Sequence, residues 1–418
     1  MVSRSVNKSS SSGSNTAHPA SRLKAAPEVF RAFLVLGLTS FGGPIAHLGY
    51  FHREFVEKRK WLEESAYAEL VSLCQFLPGP ASSQVGIAIG FSRAGLAGAL
   101  AAWVGFTLPS AVALVLFATS LTAINDKIGT DWLHGLKVVA VAVVAQALWG
   151  MGKSLSPDKA RATITVAAAA IATLWPSSVG QVTAIVAAGL VGALWLSPAP
   201  GTLAAPHTAR TSHVTGTVCL TLYFVLLFGL PVLAASTHLY VVNLVDTFYR
   251  AGALVFGGGH VVLPLLQTAV VPPGWVTNDN FLAGYGLAQA VPGPLFTFAA
   301  FLGAVSTGSP AGWLGAGIAI TAIFLPGFLL VIGALPFWDR LRQFASARRA
   351  MTGINAAVVG LLLAAFYNPV WTSAIDSGLD FCLALAAFLA LAWWRLPPWL
   401  VVLCAVLIAG TGALATFH

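Results

Sequence analysis

Gln75-Phe76-Leu77-Pro78-Gly79-Pro80-Ala81-Ser82-Ser83-Gln84 decides the reading of this chain, because its first part returns as Gln289-Ala290-Val291-Pro292-Gly293-Pro294. A Pro-Gly-Pro corner in an apolar stretch breaks a helix: each Pro removes a backbone N–H and fixes φ, and Gly permits a sharp turn. The two corners belong to a longer repeat. Phe41-Gly42-Gly43 recurs as Phe256-Gly257-Gly258, Trp61 as Trp275, Pro109 as Pro326, and Gly135-Leu136-Lys137 as Gly353-Ile354-Asn355. The spacing varies only from 214 residues (Pro78 to Pro292) to 218 (Gly135 to Gly353). The chain divides into a first half, 28–197, and a second, 244–418. A linker, 198–243, joins them and carries one extra apolar segment. Residues 1–27 are rich in Ser, Asn, Ala, Lys and Arg and read as a disordered tail, since no apolar core of a secretory signal follows its basic residues.

Composition sets the solvent. The chain of 418 residues is 57% hydrophobic and only 9% charged, where a soluble domain carries about 25% charged residues. Stretches 138–149, 163–175 and 381–394 hold no charge at all. Crossing the hydrocarbon takes about 20 apolar residues per helix, and open sheet edges cannot survive there. The fold class is therefore all-α, a polytopic integral membrane protein of the plasma (cytoplasmic) membrane. The net charge of +8 comes from basic residues clustered in a few loops, which orient a membrane protein and are not read as a nucleic-acid surface. Cys74, Cys219, Cys382 and Cys404 lie in apolar segments without metal-ligand spacing. They read as small core hydrophobes, and no metal or cofactor is expected.

Loop charges also give the relative orientation of the halves. Loop 52–64 holds Arg53, Lys58, Arg59 and Lys60, while its counterpart near 267–280 holds only Asp279. Lys153, Lys159 and Arg161 face a counterpart holding Asp376 and Asp380. The nearly neutral loop 125–131 faces Arg340, Arg342, Arg348 and Arg349. Basic loops mark the cytoplasmic side, so the halves read as inverted repeats, an architecture of secondary transporters with the substrate site at mid-membrane. Each arm flanking a break has about 12 residues, or about 18 Å of helix, too short to cross alone. In the first half basic residues lie on both sides of each broken pair, Arg31 and Arg53 around the first and Lys60 and Arg93 around the second. Two re-entrant hairpins per half are favoured, with single broken spans as the alternative.

Broken backbone at membrane depth must be covered by protein or line a cavity, so four breaks point to one central site. Pro80 can open the next helix, whose first N–H groups lack intrahelical partners and favour an anion. Ser82, Ser83 and Gln84 add donors there; in the second half Leu295, Phe296 and Thr297 take that place. The candidate substrate-binding residues are therefore Ser40, Phe41, Gly42, Gly43, Gln75, Pro78, Gly79, Pro80, Ser82, Ser83 and Gln84. From the second half come Gly257, Gly258, Gly259, His260, Gln289, Pro292, Gly293, Pro294 and Thr297. Gln75 and Gln289, as amides in lipid, must be paired, either structurally or with ligand. His47 and His260 do not align; each is either a helix-terminal hydrogen-bonding residue or a proton carrier or anion contact. Glu69, Arg93, Lys137 and Arg250 are intramembrane charges, suspects for the anion path or coupling, although Arg93 and Lys137 also fit snorkelling at the interface. No nucleotide-binding or nucleophile motif is present, so energy would come from a gradient.

At Phe41-Gly42-Gly43-Pro44, the run 75–84, Phe256-Gly257-Gly258-Gly259-His260 and 289–294, the sequence resembles the chromate ion transporter family in its long, two-half form. The resemblance covers the whole chain after the tail. It implies export of chromate, driven by membrane potential or a proton gradient, and resistance to chromate. Sulfate is the analogue in shape and charge and an alternative substrate, and a homodimer is compatible. The family's important first-half polar residues match Ser82, Ser83, Gln84 and Arg93 here. Leu295 follows the second corner, so the Ser pair is not repeated. A membrane-embedded reductase is the rival from another class, and it would need a redox centre that scattered cysteines do not suggest.

Overall fold

The computed structural model describes residues 19–128, 131–197, 212–256, 258–341 and 344–410. Among them every regular element is helical. The first half runs α1 (Pro19–Thr39), α2 (Gly43–His52), α3 (Glu64–Phe76), α4 (Ala81–Ile128), α5 (Asp131–Leu155), α6 (Lys159–Leu174) and α7 (Ser178–Trp195). After α8 (His213–Thr237) come α9 (Tyr240–Ala253), α10 (Val262–Val270), α11 (Asn278–Ala290), α12 (Phe298–Val305) and α13 (Gly312–Ala334). The chain ends with α14 (Trp338–Leu341), α15 (Ala345–Ala365), α16 (Gly378–Ala392) and α17 (Pro398–Gly410). Six helices among the described residues are long and apolar enough to cross a membrane. The protein is a polytopic all-α membrane protein. Helix α1 begins at Pro19, inside the stretch read as a disordered tail. The apolar linker segment is α8, and only 11% of its apolar window is buried.

The breaks fold the chain back on itself. Phe33 on α1 packs edge-on against Phe51 on α2 at 5.4 Å and stacks on Phe55 at 4.8 Å. Helix α4 is two arms, because Ala94 and Gly95 leave helical geometry, with Gly95 at φ +63°. Gly90 and Gly98 then lie backbone to backbone across the bend. Such close approach by small residues is how helices associate where lipid removes the hydrophobic drive. Beside this bend Arg93 bonds Glu28 (3.2 Å) and lies over the Trp61 ring (5.1 Å), and Arg59 reaches Glu28 at 3.6 Å. The ends of α1, α3 and the first arm of α4 thus share one surface, which fits hairpins and not single broken spans.

The second half repeats these contacts. Gly303 meets Gly315 across the α12–α13 bend, and Gly252 packs on α13 as Gly37 packs on α4. The amides of Trp61 and Leu62 both donate to the Phe55 carbonyl, and those of Trp275 and Val276 both donate to Val270. Tyr240, opening α9, packs on Trp275 at 5.1 Å and hydrogen-bonds Ser306 after α12. Of the cysteines, Cys74 is buried, but Cys382 and Cys404 are exposed on their helices, outside the core expected for them.

Candidate functional site

The two corners reach across to each other's halves. The Gly79 N–H donates to the Val255 carbonyl at 2.7 Å, and the Gly293 N–H donates to the Ser40 carbonyl at 2.9 Å. Ser40 and Val255 stand just before the two Phe-Gly-Gly breaks. Both glycines occupy left-handed backbone, Gly79 at φ +122° and Gly293 at φ +98°. A Cβ on Gly259 would lie 3.7 Å from both Pro44 and Leu295, so the two Phe-Gly-Gly segments also meet. The four breaks converge as expected. Gly257 lies outside the described residues; Gly42, Gly43 and Gly258 have positive φ, and Phe41 is half-buried.

The first half lines this junction with polar groups. Ser40, His47, Ser82, Ser83 and Gln84 are all buried. His47 Nδ1 and Ser82 Oγ share a hydrogen bond of 3.3 Å, and Gln84 Nε2 donates to the Pro78 carbonyl at 2.8 Å. Pro80 and Gln84 lie against Gly327 of α13, so this corner too touches the other half. Ser40 Oγ, His47 Nε2, Ser83 Oγ, Gln84 Oε1 and Thr107 Oγ1 are buried with no hydrogen-bond partner. An unmet buried polar atom costs about 1–3 kcal/mol, so these are the polar groups of the junction that are free to bond a ligand or water. Thr107 escaped the sequence reading. Its neighbour Phe106 sits edge-on to the His47 ring at 5.1 Å, and its only signal was a hydroxyl in an apolar run.

The second half is closed by comparison. Thr297 Oγ1 donates back to the Pro294 carbonyl at 2.8 Å, and His260 Nδ1 is 2.8 Å from the Tyr285 hydroxyl, a partner the sequence did not reveal. Phe296 is buried where Ser82 has its counterpart. Gln289 keeps one unmet atom, Nε2.

The charged candidates fall elsewhere. Arg93 is half-exposed in the Glu28 and Trp61 cluster. Lys137 bonds Asp279 at 3.0 Å. Arg250 is held by both oxygens of buried Asp246, at 2.9 and 2.5 Å, so its charge is already matched. Glu69 is buried on α3 and engaged there. Gln75 corrects the expectation of a buried, paired amide: it is exposed, continuing a stripe with Glu64, Ala68 and Ser72 on one face of α3. The site that remains is uncharged and donor-rich, built around a helix start and suited to a small anion.

The family model described as Chromate transporter matches residues 27–193 and again 242–410. The chain belongs to the chromate transporter family. Its two matches fall on the two halves defined by the paired corners. The chain is 28% identical over 356 residues to the chromate transport protein of Pseudomonas aeruginosa, covering 80% of this chain and 79% of that one. It is 28% identical to a probable chromate transport protein of Synechococcus elongatus, covering 83% and 84%. With the chromate transport protein of Cupriavidus metallidurans it shares 26% identity, covering 82% of each. No solved structure matches the chain significantly.

Proposed function

We propose that this transporter exports chromate from the cytoplasm through the plasma membrane, driven by the membrane potential or a proton gradient. In this reading the halves 28–197 and 244–418 are inverted repeats, and the substrate binds where their breaks meet. The observation that carries it is the exchange of backbone bonds between corners, Gly79 to Val255 and Gly293 to Ser40, beside a cluster of unpartnered buried donors. A tetrahedral oxyanion needs several converging N–H and O–H groups, and the start of α4 with Ser83, Ser40 and Thr107 supplies them. The exposed face of α3 from Glu64 to Gln75 offers a polar route toward the corner, since polar side chains at membrane depth face protein or water. His47, the titratable group nearest the serines, is suited to carry a coupling proton.

The test is flux of labelled chromate in proteoliposomes under an imposed potential or pH gradient. Accumulation against the chromate gradient is expected. Equilibration without accumulation points to a channel, and no flux from correctly folded protein ends the reading.

A further inference from the structure

The corner holds an acceptor among its donors. Gln84 is fully buried, and its Nε2 donates to the Pro78 carbonyl at 2.8 Å. That bond fixes the amide: turned over, it would set Oε1 against a carbonyl oxygen. The unpartnered atom is therefore Oε1, which can only accept. It stands at the corner itself, 3.5 Å from where a Cβ on Gly79 would sit. The unmet hydroxyls of Ser83, Ser40 and Thr107 can donate to a ligand. A fully ionised oxyanion has nothing to offer Oε1, and the two oxygens repel. A singly protonated oxyanion offers one O–H to it and its remaining oxygens to the donors.

We propose that the species bound here is the protonated monoanion, hydrogen chromate, with its O–H donated to Gln84 Oε1, and that this contact favours it over sulfate. The proposal rests on the chromate reading above. Chromate takes up a proton near neutral pH, whereas sulfate does so only in strong acid. A site built to bond a ligand hydroxyl discriminates against an analogue lacking it, because its own polar atom is then left buried and unpaired.

Chromate exchange in proteoliposomes, with equal pH on both sides and no potential, separates ligand protonation from coupling. The buried titratable groups on the surrounding elements are His47 on α2, Tyr67, Glu69 and Cys74 on α3, Asp246 and Tyr249 on α9, and Tyr285 on α11, with Arg250 paired to Asp246 and His260 half-buried before α10. The protein is assayed as wild type, Gln84→Met and His47→Gln, with sulfate as competitor. Wild-type exchange at fixed total chromate should fall about ten-fold per pH unit above the second ionisation of chromate. Excess sulfate should inhibit weakly. Gln84→Met should raise the potency of sulfate relative to chromate roughly ten-fold or more. His47→Gln should keep the midpoint of the wild-type profile. A wild-type profile that is flat or rises with pH overturns the proposal, and needs no variant to fold. So does an unchanged sulfate ratio in folded Gln84→Met, or a midpoint that moves in His47→Gln. Exchange of sulfate without exchange of chromate overturns the chromate reading itself.

Discussion

Gly79 and Gly293 occupy matching corners with different surroundings. A Cβ on Gly79 would lie 2.7 Å from the Gln84 amide nitrogen, the end of a side chain that can move. A Cβ on Gly293 would meet the Phe106 carbonyl at 3.1 Å and Ser110 Oγ at 2.8 Å, and backbone cannot yield. Both substitutions also place Ala in left-handed backbone, a strain of about 1–3 kcal/mol. Gly79→Ala is therefore expected to fold, lose the Gln84–Pro78 bond and lose most chromate flux. Gly293→Ala is expected to lower the yield of folded protein instead. Ser83→Ala removes one neutral donor worth about 0.5–1.5 kcal/mol, so KM for chromate should rise about two- to ten-fold with kcat largely kept. Flux normalised to folded protein checks all three; normal flux in Gly79→Ala would place the site elsewhere. The corners and serines were legible because Pro and Gly have strong local meanings. Thr107 and Tyr285 were not, because nothing local announces a tertiary partner, whereas the Asp246–Arg250 pair has the four-residue spacing of an ion pair within one helix.

At the scale of elements, glycine contacts close the bend within α4 and the bend between α12 and α13, and ion pairs join neighbouring helix ends. The Glu28, Arg59 and Arg93 cluster joins α1, the turn before α3 and the first arm of α4. Glu54 belongs to the same surface. Partial burial pushes its carboxyl up, but hydrogen bonds and charge from Arg59 and Lys58 hold it below the ordinary range. Half-exposed ion pairs contribute less than about 1 kcal/mol each. Arg93→Ala should therefore reduce thermal stability slightly and leave KM for chromate unchanged, although the family resemblance marks Arg93 as important. A large rise in KM would instead put its guanidinium on the anion path. The hairpin choice was legible only as a preference, since arm length excludes a crossing by either arm but does not say where the next arm goes. Residues 28, 61 and 93 had to be brought together before both ends of the pairs could be assigned to one surface.

Across the whole molecule, charged groups gather in clusters of both signs. Glu28, Arg59 and Arg93 share one surface, and Lys153 ends α5. At the start of α5, His134 bonds buried Asp380 at 2.7 Å and Lys137 pairs with Asp279 at 3.0 Å, so a hydrogen bond and an ion pair tie the halves together there. His134 and Lys153 are separated by about 28 Å of helix, close to the thickness of the hydrocarbon. Inverted halves require the turn between α2 and α3 to face the cytoplasm and the matching turn between α10 and α11 to face outward. Glu57 and Pro273 are exposed in those turns. With Cys382 and Cys404 first replaced by Ala, a membrane-impermeant thiol reagent should label Pro273→Cys in intact cells. Glu57→Cys should react only after the membrane is opened. Labelling of both from the same side would mean that the halves are parallel. The bonds from Gly79 to Val255 and from Gly293 to Ser40 would then join corners approached from one face, with no exchange of access between opposite sides of the membrane.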